Sequence, residues 1–99
     1  MMKVTVLYGH PDNPGAFEDY YANTHLPIAA TMKGVVKLEA TKFVDGPDGK
    51  PAYYRMAEVY FDSPEQMQTT LGSPEGQATV DDIPNFATGG FTVVIGSVD

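Results

Sequence analysis

One imidazole and two phenols sit close together in the run from Phe17 to Pro27, F-E-D-Y-Y-A-N-T-H-L-P, and they are the residues here best suited to chemistry. Imidazole is the one side chain whose ordinary titration range lies near neutral pH, so His25 is the candidate proton acceptor and donor. Tyr20 and Tyr21 can donate hydrogen bonds to a carbonyl or hydroxyl oxygen of a ligand. Asp82, far along the chain, is the candidate carboxylate to orient the imidazole or to serve as a second acid-base group. Each has a plainer competing role. His25 would cap helix carbonyls, Asp82 would cap a turn before Pro84, and the tyrosines would be core and rim aromatics with wet hydroxyls. Phe17, Met32, Met56 and Phe86 are the candidate apolar lining of a ligand pocket, or ordinary core.

Helical spacing positions this run. Phe17, Tyr21, Thr24, Ile28 and Met32 share one face at about 100° per residue, with Tyr20 on one flank and His25 on the other. Asn13 followed by Pro14 is a helix start, with a capping side chain and a proline at the first helical position. Pro27 lacks the N–H that would bond the Asn23 carbonyl, so the helix is expected to kink or restart there, leaving carbonyls free beside His25. Lys33 and Gly34 signal its end near Met32.

The flanking elements read as a sheet. Lys3 to Tyr8 is β-branched and alternating, hence a strand. Val35 to Val44 alternates with period two and reads as a half-exposed edge strand. Asp45 to Pro51 is dense in turn residues, and Tyr53 to Phe61 is a strand again, completing a hairpin. Ser63 to Gln66 forms a capping box that opens a short helix to Leu71. Ser73-Pro74-Glu75 opens another, which Gly76 weakens and Pro84 ends, and Phe91 to Val98 is the last strand. The order β-α-β-β-α-β predicts an α+β, ferredoxin-like fold: a four-stranded antiparallel sheet with helices on one face, as one domain over 1–99.

Several strands carry apolar residues on both faces, Tyr53, Ala57, Val59 and Phe61 against Tyr54, Met56 and Tyr60 among them. The uncovered face therefore predicts a sheet-on-sheet homodimer burying on the order of 1,000 Å² or more. Glu58, alone among these apolar residues, is expected to pair with Arg55 or a cation across that dimer, or to sit at its rim.

Composition narrows the partners. The chain has 99 residues, 42% of them hydrophobic, and 13 acidic against 6 basic side chains for a net charge of −7. Such a balance repels nucleic acid and anionic membrane surfaces, and the lysines form no patch. No stretch approaches the roughly 20 apolar residues of a membrane span, and the N-terminal run is too short for a secretion signal. With no cysteine, there is no disulfide framework or thiolate nucleophile, and a cytoplasmic location is expected. His10 and His25 lack the companions of a metal site, and no nucleotide-binding glycine motif is present, so no cofactor is expected.

Five segments in order resemble the EthD family, named for a component of ethyl tert-butyl ether degradation: F-x-x-Y-Y-x-x-x-H-x-P (Phe17 to Pro27), Gly34, R-M-A-E-V-Y-F-D-S-P-E (Arg55 to Glu65), S-P-E-G-Q-A (Ser73 to Ala78) and D-I-P-N-F (Asp82 to Phe86). The resemblance covers nearly the whole chain. It implies a ferredoxin-like homodimer of the dimeric α+β barrel superfamily, whose members include cofactor-independent monooxygenases, lactone isomerases, polyketide cyclases, dehydratases and haem-handling enzymes. The function expected from it is cofactor-independent proton transfer, of isomerase, cyclase or dehydratase type, on a small apolar or aromatic carbonyl or hydroxyl compound in catabolism. The alternative is a dimer that binds a small hydrophobic ligand, or assists an oxygenase, without catalysis of its own.

Overall fold

The computed structural model describes residues 1–99. In chain order the elements are β1 (Met2–Tyr8), α1 (Pro14–Tyr20), a π-helical turn (Tyr21–His25), α2 (Leu26–Ala29), β2 (Val35–Lys42), β3 (Arg55–Phe61), α3 (Pro64–Gly72), α4 (Pro74–Asp82), a 3-10 turn (Ile83–Asn85) and β4 (Phe91–Ser97). The strands form one antiparallel sheet in the order β2-β3-β1-β4, the ferredoxin-like arrangement, with β2 on an edge as its half-polar pattern predicts.

Alternation along β1 and β3 turns Val4, Val6, Tyr8, Ala57 and Phe61 toward the helices, where all are buried. Each helix begins as its residues dictate. Asn13 accepts a hydrogen bond from the Ala16 amide at 3.1 Å, Ser63 from Gln66 at 3.1 Å and Ser73 from Gly76 at 3.1 Å, with a proline following each cap. Gln66 does not reach back to complete the capping box. Its amide donates instead to the Thr70 hydroxyl at 3.0 Å, and that hydroxyl donates to the Lys33 carbonyl at 2.5 Å, tying α3 to the end of the first helical arm. Gly34 takes the left-handed conformation that ends this arm, at φ 83°. Gly76 is not a weak point: a Cβ there would collide with the Thr70 carbonyl and the Leu71 backbone, so glycine lets α4 pack directly against the end of α3.

The expectation of a sheet greasy on both faces needs correction. On the face away from the helices, Lys3 pairs with Glu58 at 2.8 Å. The Lys37 ammonium lies 4.6 Å from the centre of the Tyr60 ring, and Tyr60 donates to Glu39 at 3.2 Å. Glu58 thus finds its cation on the neighbouring strand within the same chain, because Thr5 is its direct cross-strand partner and Lys3 reaches across diagonally. Arg55 is engaged elsewhere. Unsatisfied apolar surface concentrates on β4 instead, where Phe91, Val93, Val94 and Ile95 are 42%, 47%, 50% and 56% exposed. Val93 and Ile95 pair with Val6 and Val4 and so share the helix-side face, but the helices do not extend over this edge strand.

Candidate functional site

Pro27 shapes the site as a consequence of its missing N–H. The chain widens into a π turn, in which the Leu26 amide donates to the Tyr21 carbonyl five residues back, and helix then resumes with Pro27 in its first turn. The wider turn shifts the phase of everything that follows. The buried stripe runs Phe17, Tyr21, His25, Ala29 and Met32, whereas regular helical spacing had put Thr24 and Ile28 on it and His25 on its flank. His25 is consequently only 4% exposed.

Asp82, the last residue of α4, meets it from the other side of the chain. His25 Nδ1 is 2.9 Å from Asp82 Oδ2; Tyr20 donates to Oδ1 at 2.6 Å and the Asn85 amide to the same oxygen at 3.0 Å. Burial opposes charge on Asp82, but the hydrogen bonds from Tyr20, His25 and Asn85 outweigh it and hold the carboxyl below its ordinary range. The carboxylate is therefore ionised at neutral pH, and Nδ1 carries the proton that it donates to Asp82. In the neutral form of the ring, Nε2 is then the bare nitrogen, and it has no protein partner.

Aromatic rings fix the imidazole. Phe86 lies 4.6 Å away, centroid to centroid, and Tyr21 stacks on the other neighbour position at 5.7 Å and 17°. Tyr21 is itself held edge-on by Tyr8 at 5.8 Å and by the Arg55 guanidinium 4.9 Å from its ring centre. Arg55 forks onto Glu18 at 3.0 and 2.7 Å, and Tyr54 donates to the same carboxylate at 2.9 Å. The Arg55 contacts, against some burial, keep Glu18 below the ordinary carboxyl range. Burial pushes the Tyr21 phenol up, partly offset by Arg55, and burial likewise raises Tyr8, so both are neutral donors at pH 7.

The Tyr21 hydroxyl is the one buried side-chain polar atom in the chain without a hydrogen-bond partner, a penalty of about 1–3 kcal/mol. Tyr21, Tyr8 and His25 are among the residues that line a cavity of about 60 Å³ between helices and sheet. The walls are apolar: Val4 and Val6 of β1, Ala57 and Val59 of β3, Leu26, Ala29 and Met32 of the first helical arm, and Leu71 and Ile83 of the second. No lysine or arginine lines it.

The residues expected from sequence are thus distributed over three places. His25, Tyr21 and Met32 line this cavity, and Asp82 and Tyr20 stand behind His25. Phe17, Tyr20 and Phe86 border a second, more polar groove of about 210 Å³ with Asn13 and Asn85, and Phe86 contacts His25 as well. Met56 is not brought to the cavity: it pairs with Leu7, and alternation against Ala57 turns it to the opposite sheet face. Two contributors escaped the sequence reading. Tyr8 was findable, because it continues the Val4, Val6 alternation onto the buried face. The Glu18–Arg55 pair had no local signal, its members being 37 residues apart. No group of three or more His, Cys, Asp or Glu side chains is arranged as metal ligands, and no helix is long and apolar enough to cross a membrane.

Known proteins share this architecture. An uncharacterized 11.0 kDa protein of Rhodococcus erythropolis, from the thcB-thcC intergenic region, is 38% identical over 95% of this chain and 91% of its own. The crystal structure of an ethyl tert-butyl ether d (EthD) family protein from Bacillus halodurans superposes with a TM-score of 0.94 at 33% identity, covering 100% of this chain and 99% of that one. At 12% and 14% identity the likeness is of fold alone. A dimeric ferredoxin-like protein of unknown function from Thermobifida fusca reaches a TM-score of 0.73, and SnoaB, a cofactor-independent oxygenase from Streptomyces nogalater, reaches 0.63; each match covers 98% of this chain and 90% of the other. The model of the EthD domain matches residues 13–90, the span that holds the π turn, His25 and Asp82, and the chain belongs to the EthD family.

Proposed function

We propose that this EthD-family protein is a homodimeric, cofactor-independent proton-transfer catalyst acting on a small, largely apolar carbonyl or hydroxyl compound, in the manner of an isomerase, cyclase or dehydratase. The observation that carries the reading is the buried His25–Asp82 pair, with His25 and Tyr21 both in the lining of an apolar cavity. With a carbonyl compound bound, Nε2 takes a proton from the carbon next to the carbonyl. The C–H electron pair moves into a carbon–carbon double bond, and the charge that develops on oxygen is met by the Tyr21 O–H. Asp82 holds the imidazole in the correct tautomer and stabilises the imidazolium, while Tyr20 and Asn85 hold Asp82. Return of the proton to a different atom completes an isomerisation.

The homodimer is supported by the exposed apolar residues of β4 and by a dimeric protein of the same fold. A cofactor-independent oxygenase of that fold is compatible with chemistry run by side chains alone. The second reading, a dimer that stores or presents a small hydrophobic ligand without transforming it, draws on the nearly all-apolar cavity wall.

Deuterium exchange separates the two. A panel of small enolisable ketones and aldehydes incubated with the protein in D2O should gain deuterium next to the carbonyl, about 10²-fold or more faster than with His25→Ala. Exchange no faster than buffer for the whole panel, or exchange indifferent to His25→Ala, overturns catalysis in favour of binding.

A further inference from the structure

We infer that Arg55 is a positioning residue for His25: clamped by Glu18, it holds the Tyr21 ring in place, and that ring holds the plane of the imidazole. This rests on His25 being the group that moves the proton, as proposed above, and extends the machinery to two side chains outside the cavity wall.

The Nδ1 bond to Asp82, at 2.9 Å, restrains one edge of the imidazole but not its tilt. The tilt is set at the ring faces, where Tyr21 lies nearly parallel at 17° and Phe86 packs at 4.6 Å. Phe86 is wedged among Tyr8, Phe17 and Tyr20, at centroid distances of 5.5, 5.2 and 5.5 Å. Tyr21 is held less evenly. It borders the cavity, where a ring has no partner atoms on one side, and its hydroxyl has no hydrogen bond to anchor it. Beyond its aromatic neighbours, its one charged contact is the Arg55 guanidinium, 4.9 Å from the ring centre.

Arg55 in turn cannot drift. Alternation with Ala57 turns it toward the helices, and it donates from Nε and a terminal nitrogen to the two oxygens of Glu18 at 3.0 and 2.7 Å. Tyr54 donates to the same carboxylate at 2.9 Å. Glu18 stands three residues before Tyr21 in the same helical arm, so the clamp ties that arm to the first residue of β3. A guanidinium bonded along its edge still offers its face to a ring, whereas an ammonium is a point charge with neither edge nor face.

Solvent exchange of the His25 Nδ1 proton, followed by ¹⁵N-histidine NMR with the Val4 and Val6 amides of central strand β1 as internal standards, reads the ring without any substrate. In Glu18→Gln/Arg55→Met, which removes both charges together, the Nδ1 proton should exchange about tenfold faster relative to those amides than in the wild type. Arg55→Lys should show the same excess, because the fork and the flat face are gone. Lys3→Met/Glu58→Gln, which removes an ion pair from the opposite sheet face, should move the ratio by no more than about twofold. If the Glu18→Gln/Arg55→Met chain does not fold, Arg55→Lys, which keeps a cation beside Glu18, decides alone. The inference is overturned by a ratio unchanged in the Arg55 variants, by a lysine that retains wild-type protection, or by an equal excess in the outer-face control. The two readings fail separately. Excess exchange in the Arg55 variants with no ketone deuteration sinks only the catalytic reading, and His25-dependent deuteration with an unchanged ratio sinks only this inference.

Discussion

Nδ1 of His25 lies 2.9 Å from Oδ2 of Asp82, a residue 57 positions further on, and both side chains are buried. Two unrelated local features make the meeting possible. The π turn rotates His25 fully inward, and the end of α4 delivers Asp82 just before the chain turns through Ile83–Asn85. A buried carboxylate satisfied by three donors orients an imidazole more rigidly than a solvated one would.

Asp82→Asn should therefore damage both stability and chemistry. It removes the charge that the Tyr20, His25 and Asn85 donors converge on, and should lower the unfolding free energy by about 1–3 kcal/mol in urea titrations. Where wild-type protein exchanges a ketone proton, this variant should do so at least about tenfold more slowly, with ligand affinity changed much less.

Tyr21→Phe should act in the opposite direction on stability. Deleting a buried hydroxyl without a partner relieves its desolvation penalty at constant ring shape, so the unfolding free energy should rise by about 1 kcal/mol at unchanged urea m-value. A loss of stability would mean that the hydroxyl is bonded in solution. Such a site exchanges stability for the ability to bind, as functional sites commonly do.

Acid should destabilise the fold through two carboxyls. Asp82 and Glu18 both have folded-state values below their ordinary ones, so on acidification the unfolded chain takes up protons before the folded chain does. Their contribution is complete above the ordinary carboxyl range, near pH 4, and is lost as pH falls through the lower folded values. Urea midpoints measured from pH 6 downward should show this decline, and Asp82→Asn should flatten its slope.

Sedimentation at micromolar concentration should give a species of twice the chain mass. Ile95→Asp, on the exposed apolar stretch of β4, should convert it to the single chain with the far-UV spectrum retained. A wild-type monomer contradicts the dimer.

Much of this architecture was legible in local patterns. The caps at Asn13, Ser63 and Ser73, the positive-φ Gly34 and the alternation of β1 needed only near neighbours in sequence. The π turn was legible only halfway: Pro27 announced a fault in the helix, but regular spacing could not anticipate that the fault would be absorbed as one extra residue, which moves His25 from flank to centre. Contacts between distant segments were the least legible. Lys3–Glu58 depends on register and on diagonal reach across the sheet, Glu18–Arg55 on how α1 packs over the start of β3, and Met56 landed away from the cavity because a strand's phase decides which face a residue takes.

The state of one ring carries the whole account, and long-range ¹H–¹⁵N NMR of the His25 imidazole at neutral pH reads it directly. The prediction is an Nδ1–H tautomer whose Nε2 ¹⁵N signal moves when a small ketone such as butanone is added. An Nε2–H tautomer, or an Nε2 signal indifferent to every small ketone that binds, would contradict it.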